Sequence, residues 1–187
     1  MTDQAVGTTD VATSFVARLD GLVARADRAR LAALRQLVMP EERWRPDVYA
    51  AAYPLVPPHL HPNDERRFLL VAGLHALWHR GTGVPATHSG ANFGASMRVL
   101  AGRAGGAESS AAVERRFAVL LASEDERLAH HLRQTVTQLS SSATNVDFAV
   151  LLADLRYWDH PDRFVQRRWA HEFWTSSAPV ADGKASA

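Results

Sequence analysis

The chain has 187 residues, 47% of them apolar and 22% charged, with a formal net charge of +1 and no cysteine. That length can bury one core or two small lobes. The missing cysteines exclude disulfides and thiolate metal sites, and the near-neutral balance excludes the strongly basic chain of a self-sufficient DNA-binding protein. No apolar run approaches the roughly 20 residues that span a bilayer, and the start, MTDQAVGTTD, lacks the basic and apolar regions of a signal peptide. A bacterial cytoplasm is the expected compartment, without membrane attachment. Lys184 is the only lysine, so the positive charge is almost entirely arginine. The planar arginine fork suits phosphate, but a GC-rich genome gives the same bias.

In chain order, residues 1–12 are expected to be disordered, and Thr13 or Ser14 to cap a first helix with Phe15, Leu19, Leu22 and Ala26 on one stripe. A break near Asp27 leads into a second helix, RARLAALRQLV, that ends at Met39–Pro40 because proline disfavours helix in the residue before it. A proline-rich stretch follows, with a short helix over Asp47–Tyr53. The segment DERRFLLVAGLHALWHR, Asp64 to Arg80, is apolar on nearly all sides and reads as the central buried helix, with Asp64 and Glu65 at the positive end of its dipole. Residues 13–80 form a first lobe. Residues 81–112 read as glycine-rich surface loops around a short helix at Asn92–Leu100.

Residues 113–174 form the second lobe. Val113, Phe117, Leu120 and Leu121 make one stripe, and Ser123 with Glu126 spells a capping box for a helix that buries Leu128, Leu132, Val136 and Leu139. Asp147 is placed to cap FAVLLADLRYW. Asp159 is expected to cap a last helix with Pro161 in its first turn. Residues 175–187 read as a disordered tail. With no strand or hairpin signal, the fold class is all-α, a two-lobed helical bundle.

The closing segment, WDHPDRFVQRRWAHEFW, poses the functional question. At 100° per residue, Val165, Trp169 and Phe173 share the buried face while Arg163 and Arg167 lie nearly opposite, with Arg168 on the flank. VERRFAVLL repeats the arrangement, with Phe117 inward, Arg115 outward and Arg116 at the border. Asp64, Glu65, Glu124, Asp125, Glu126, Asp159 and Asp162 sit at expected helix starts, which leaves arginine dominating several faces. Such faces are either solvated surface or a site for a negatively charged partner. His75 and His79 have the spacing of two H-E-x-x-H ligands, but HALWH lacks the glutamate, and no third ligand is in view. They are expected to be half-buried structural histidines, with no metal and no cofactor. No nucleophile elbow, phosphate-binding glycine loop or catalytic cysteine is found, so no enzymatic activity is expected.

FLLVAGLHALWHR, NFGASMRVLAG, VERRFAVLLAS, LAHHLRQTVTQL and LLADLRYWDHPDRFVQRRWAHEFW, in this order and spacing, resemble the CasB family, small subunits of the type I-E CRISPR surveillance complex Cascade. The resemblance covers roughly Phe15 to Trp174. It implies an all-helical, two-lobed, non-catalytic protein that works with other Cascade subunits and a second copy of itself. Its implied ligands are the guide RNA and the target DNA, both target and displaced strands, held through backbone and shape while base pairing reads sequence. The nucleic-acid-binding residues it implies are Arg115 and Arg116 at the ERR helix start, Arg133 in the LR helix, Arg98 in the short helix, Arg163 and Arg167 in the closing helix, and Arg30 and Arg35 in the second helix. The alternative reading is a free-standing helical adaptor whose arginines pair with an acidic protein; a metal-dependent helical hydrolase is a more distant one.

Overall fold

The computed structural model describes residues 3–39, 45–82 and 86–175. Among them are nine α-helices and no strand: α1 Asp3–Ala24, α2 Arg28–Arg35, α3 Pro46–Ala52, α4 Pro62–Thr82, α5 Phe93–Arg103, α6 Ala107–Ala122, α7 Asp125–Ser141, α8 Phe148–Leu155 and α9 Phe164–Thr175, with a 3-10 turn at Gln36–Val38 after α2. The all-α expectation holds. Residues 40–44, 83–85 and the expected tail beyond Thr175 lie outside the described residues.

The period of 3.6 located most of the helices, because apolar spacing dictates which face is buried. Several ends differ. Helix α1 begins at Asp3, ahead of the expected cap, so Thr13 and Ser14 lie inside it. It stops where Ala26 adopts φ 53°. The Asp27 amide donates to the Leu22 carbonyl and the Ala26 amide to that of Val23, satisfying the last carbonyls without glycine. Asp27 then caps α2, accepting from the Arg30 amide at 3.1 Å. The stretch 81–112 is mostly helix, since α5 runs to Arg103 and α6 starts at Ala107. Asn92 caps α5, as Asp147 caps α8.

Two other expected caps are not made. Ser123 turns its hydroxyl back to the Leu120 carbonyl (2.7 Å), which leaves Glu124 at the N-cap of α7. Asp159 binds Arg67, and α9 starts later, at Phe164, after Arg163 in the left-handed region at φ 47°.

Helix α4 is the axis of the molecule. Phe68, Val71, Leu74, His75, Ala76 and Trp78 are all buried. It is enclosed by α1, α2, α7, α8 and the 3-10 turn. Each buried Leu or Phe contributes about 1.5–3 kcal/mol relative to exposure. The core therefore runs without a break from the first helical segment into the second.

Polar anchors fix the registers. Arg67, 4% exposed, pairs with Asp125 at the start of α7 and with Asp159 (2.7 Å) after α8. Asp64 receives a bidentate Arg156 at 2.8 and 2.8 Å. The Trp78 indole donates to the Thr144 carbonyl at 3.0 Å, and the Ser140 hydroxyl to the Trp78 carbonyl at 2.7 Å.

Helices α5 and α9 approach closely at Gly94, where a Cβ would lie 2.2 Å from the Trp169 carbonyl oxygen. Gly94→Ala must push the two helices apart. A destabilisation of about 1–3 kcal/mol is expected, read as a lower melting temperature. An unchanged melting temperature would contradict the packing.

Candidate nucleic-acid interface

The arginines of the closing segment have three different fates. Arg168 pairs with Asp154, a carboxylate only 4% exposed that also accepts the Trp169 indole N–H at 2.6 Å. Burial pushes the Asp154 pKa up, against the opposing pull of Trp169 and Arg168. Arg163 is not on the helix face assigned to it: it precedes α9 and donates to the Leu121 carbonyl near the end of α6, at 2.6 Å. Arg167 is exposed and has neither ion pair nor side-chain hydrogen bond among the described residues. The face drawn through Val165, Trp169 and Phe173 is buried as expected. Trp169 packs on Phe93 and Trp158, with centroids at 5.0 and 5.2 Å.

The other sequence candidates divide in the same way. Arg30 donates to the Ala51 carbonyl at 2.8 Å and joins α2 to α3. Arg98 binds both the carbonyl and the carboxylate of Glu172, each at 3.0 Å, and joins α5 to α9. Arg35 lies beside Arg80; burial first, and then repulsion from Arg80, lower its pKa. Arg115 projects from α6 into solvent without a partner among the described residues.

Only Arg116 and Arg133 are brought together around one surface feature, an open groove of about 580 Å³ between α6 and α7. Gln134, Thr137, Gln138 and Ser141 complete its lining. Arg116 donates to the Gln138 side-chain oxygen, while Arg133 has no side-chain partner among the described residues. The groove contains two cations, amides and hydroxyls, and no carboxylate among its described lining. This composition suits phosphate oxygens, which accept from cations and neutral donors alike. Gln134, Thr137 and Gln138 were missed by sequence reasoning; their spacing along the outer face of α7 beside Arg133 is the signal that could have found them.

The histidines also form a group that sequence spacing did not show. The third residue missing from HALWH is supplied by α1: Asp20 lies 2.8 Å from His75 Nε2 and 3.0 Å from His88 Nε2. His75 is fully buried rather than half-buried. Burial tends to raise the Asp20 pKa, but the bonds and charges of His75 and His88 outweigh it and hold the group below its ordinary value. Burial, reinforced by His75 and opposed by Asp20, lowers the His79 pKa from 6.5 to about 4.

The chain is thus of the class of all-helical proteins, with a cationic groove that has no carboxylate among its described lining. Comparison with known proteins narrows that class. The family profile described as CRISPR-associated protein Cse2 matches residues 30–174. The Cse2 protein of Thermus thermophilus is 36% identical over 161 residues, covering 83% of this chain and 84% of that one. The crystal structure of CasB from Thermus thermophilus aligns with a TM-score of 0.62 at 30% identity, covering 91% of this chain and 97% of that one. A chain of a CRISPR RNA-guided surveillance complex aligns with a TM-score of 0.68 at 25% identity, covering 89% and 92% respectively. The chain belongs to the Cse2 family, also named CasB.

The depressed His79 pKa gives a pH prediction. The unfolded chain takes up this proton near pH 6.5 and the folded chain only near about 4, so between those values the unfolded state binds more protons. His79's contribution is fully present above about pH 6.5 and is lost progressively as the pH falls towards 4. It amounts to on the order of 2 kcal/mol after allowance for solvent screening at its exposed edge. Melting curves in chelating buffer should show this fall, and His79→Gln should flatten part of it. An equally steep fall in the variant would assign the effect elsewhere.

Proposed function

We propose that this chain is a non-catalytic subunit of the type I-E Cascade complex. In this role it supports the guide RNA–target DNA heteroduplex and the displaced strand by contacts to their backbones, beside a second copy of itself, in the cytoplasm. The observation that carries the reading is the α6–α7 groove, where Arg116 and Arg133 stand among neutral donors with no carboxylate in the described lining. Family membership supports it, as does likeness to a chain of an RNA-guided surveillance complex. A net charge of only +1 fits a subunit that adds a local cationic track to a larger assembly. Arg115 and Arg167, exposed and without partners among the described residues, extend the set of candidate contacts. Arg30, Arg98 and Arg163 serve chiefly to tie helices together. Among the described residues no helix is long and apolar enough to cross a membrane.

The test is reconstitution with the remaining Cascade subunits and a guide RNA, using wild type and the Arg116→Ala/Arg133→Ala variant. Wild type should co-purify with the complex. The variant should assemble and keep its melting temperature, since exposed substitutions shift stability by about 0.5 kcal/mol or less. It should hold target DNA more weakly whatever the sequence, with the slope of log affinity against log salt reduced by about 2 for two lost phosphate contacts. A wild-type chain that stays outside the complex would overturn the Cascade assignment. A variant with undiminished DNA affinity and salt slope, or one that no longer assembles, would remove the phosphate role from the groove.

A further inference from the structure

We propose that Asp20, His75 and His79 form a binding site for a divalent first-row transition metal of the zinc class, in which His88 orients the carboxylate from the rim. One potential ligand atom from each of the three residues lies within 4.8 Å of the others. They come from two helices, with Asp20 on α1 and the histidines one turn apart on α4, so the fold, and not local sequence, assembles the set.

The second observation is independent of that proximity. His75 Nδ1 and His79 Nε2 are shut off from solvent and have no hydrogen-bond partner among the described residues. Buried polar atoms rarely stay unpartnered, because a desolvated donor or acceptor left without a hydrogen bond is costly. Of the two, only His79 Nε2 can meet an ion beside Asp20: its ring centroid lies 4.4 Å from that of His75, whose Nε2, and not its Nδ1, faces Asp20 at 2.8 Å. A metal ion held by His75 Nε2 and Asp20 would give His79 Nε2 the partner it lacks.

The donor chemistry selects the ion. Two imidazoles and one carboxylate suit zinc, cobalt or nickel, whereas magnesium and calcium prefer oxygen alone. Metal–nitrogen and metal–oxygen bonds of about 2.0–2.1 Å at a tetrahedral angle place two ligand atoms about 3.3 Å apart. The 2.8 Å separation of His75 Nε2 and Asp20 Oδ1 would therefore need to open by only about 0.5 Å if that nitrogen ligates. His88 Nε2, bound to the other Asp20 oxygen at 3.0 Å, fixes the carboxylate as an outer partner of metal ligands does. Three protein ligands leave the fourth position to water. Occupancy would staple α1 to α4 and to the segment bearing His88.

The test uses the untagged, full-length protein after chelator treatment, titrated with Co²⁺ as a spectroscopic probe, with Zn²⁺ as competitor and melting curves alongside. Wild type should bind one equivalent of Co²⁺ with visible ligand-field bands, lose them to Zn²⁺, and melt at a higher temperature with metal than without. His79→Gln and Asp20→Asn should weaken binding by roughly 10–100-fold or more, the loss that even outer-shell changes produce, while keeping helical circular dichroism. His130→Ala/His131→Ala, which removes two histidines on α7 away from the site, should leave binding unchanged. Should His79→Gln fail to fold, the near-isosteric Asp20→Asn decides alone. Absence of stoichiometric binding overturns the proposal, as does binding that survives both site variants or disappears in the His130/His131 variant.

Discussion

Everything in this molecule depends on covering α4. A 21-residue helix that is apolar on almost every side cannot lie on a surface, so it needs neighbours all round. The chain supplies them from both halves: α1 and α2 from the residues before it, α7 and α8 from those after. The order of segments along the chain thus suggests two lobes, while the packing around one helix joins them. Arg67 completes the arrangement. Its buried guanidinium ties the start of α4 to Asp125 and Asp159, and the burial of that cation is balanced by two carboxylates.

The arginines follow from the same constraint. Once α4 is enclosed, the surrounding helices must be tied to one another, and arginine does this by reaching backbone carbonyls and carboxylates across helix gaps. Arg30, Arg98, Arg163 and Arg168 are used in this way. Of the arginines singled out in the sequence, Arg115 and Arg167 in solvent, Arg35 beside Arg80 and Arg133 in the α6–α7 groove make no such tie among the described residues, and Arg116 reaches only the neutral Gln138. Near-zero net charge and a local cationic groove are therefore compatible. Much of the arginine is internal scaffolding, and much of the acid is engaged with it.

How much could be read in advance depended on the range of the interaction. The helices were legible because burial imposes its period on every stripe, and the cap at Asp147 because capping is local. Family membership was legible in the ordered set of segments ending with the Trp/Arg stretch. Long-range pairing was not legible. Asp159 looked like a cap because nothing in its neighbourhood reveals Arg67, 92 residues away. Arg163 looked like a helix-face residue because its left-handed backbone and its reach to Leu121 depend on where α6 ends. Asp20 lay outside any motif containing His75, 55 residues away, because the two meet only when α1 packs on α4. Gly94 was only one residue of the short helix expected at Asn92–Leu100, although its missing Cβ is what admits the Trp169 carbonyl.

The turn joining α6 to α7 holds a further consequence. Trp158 donates its indole N–H to the Ser123 carbonyl within that turn, and Arg163 donates to Leu121 just before it. Helices α6 and α7 are thus two jaws whose hinge is pinned from outside by the α8–α9 connection. Residues of the closing segment that never face the groove thereby brace the turn from which the helices bearing Arg116 and Arg133 run.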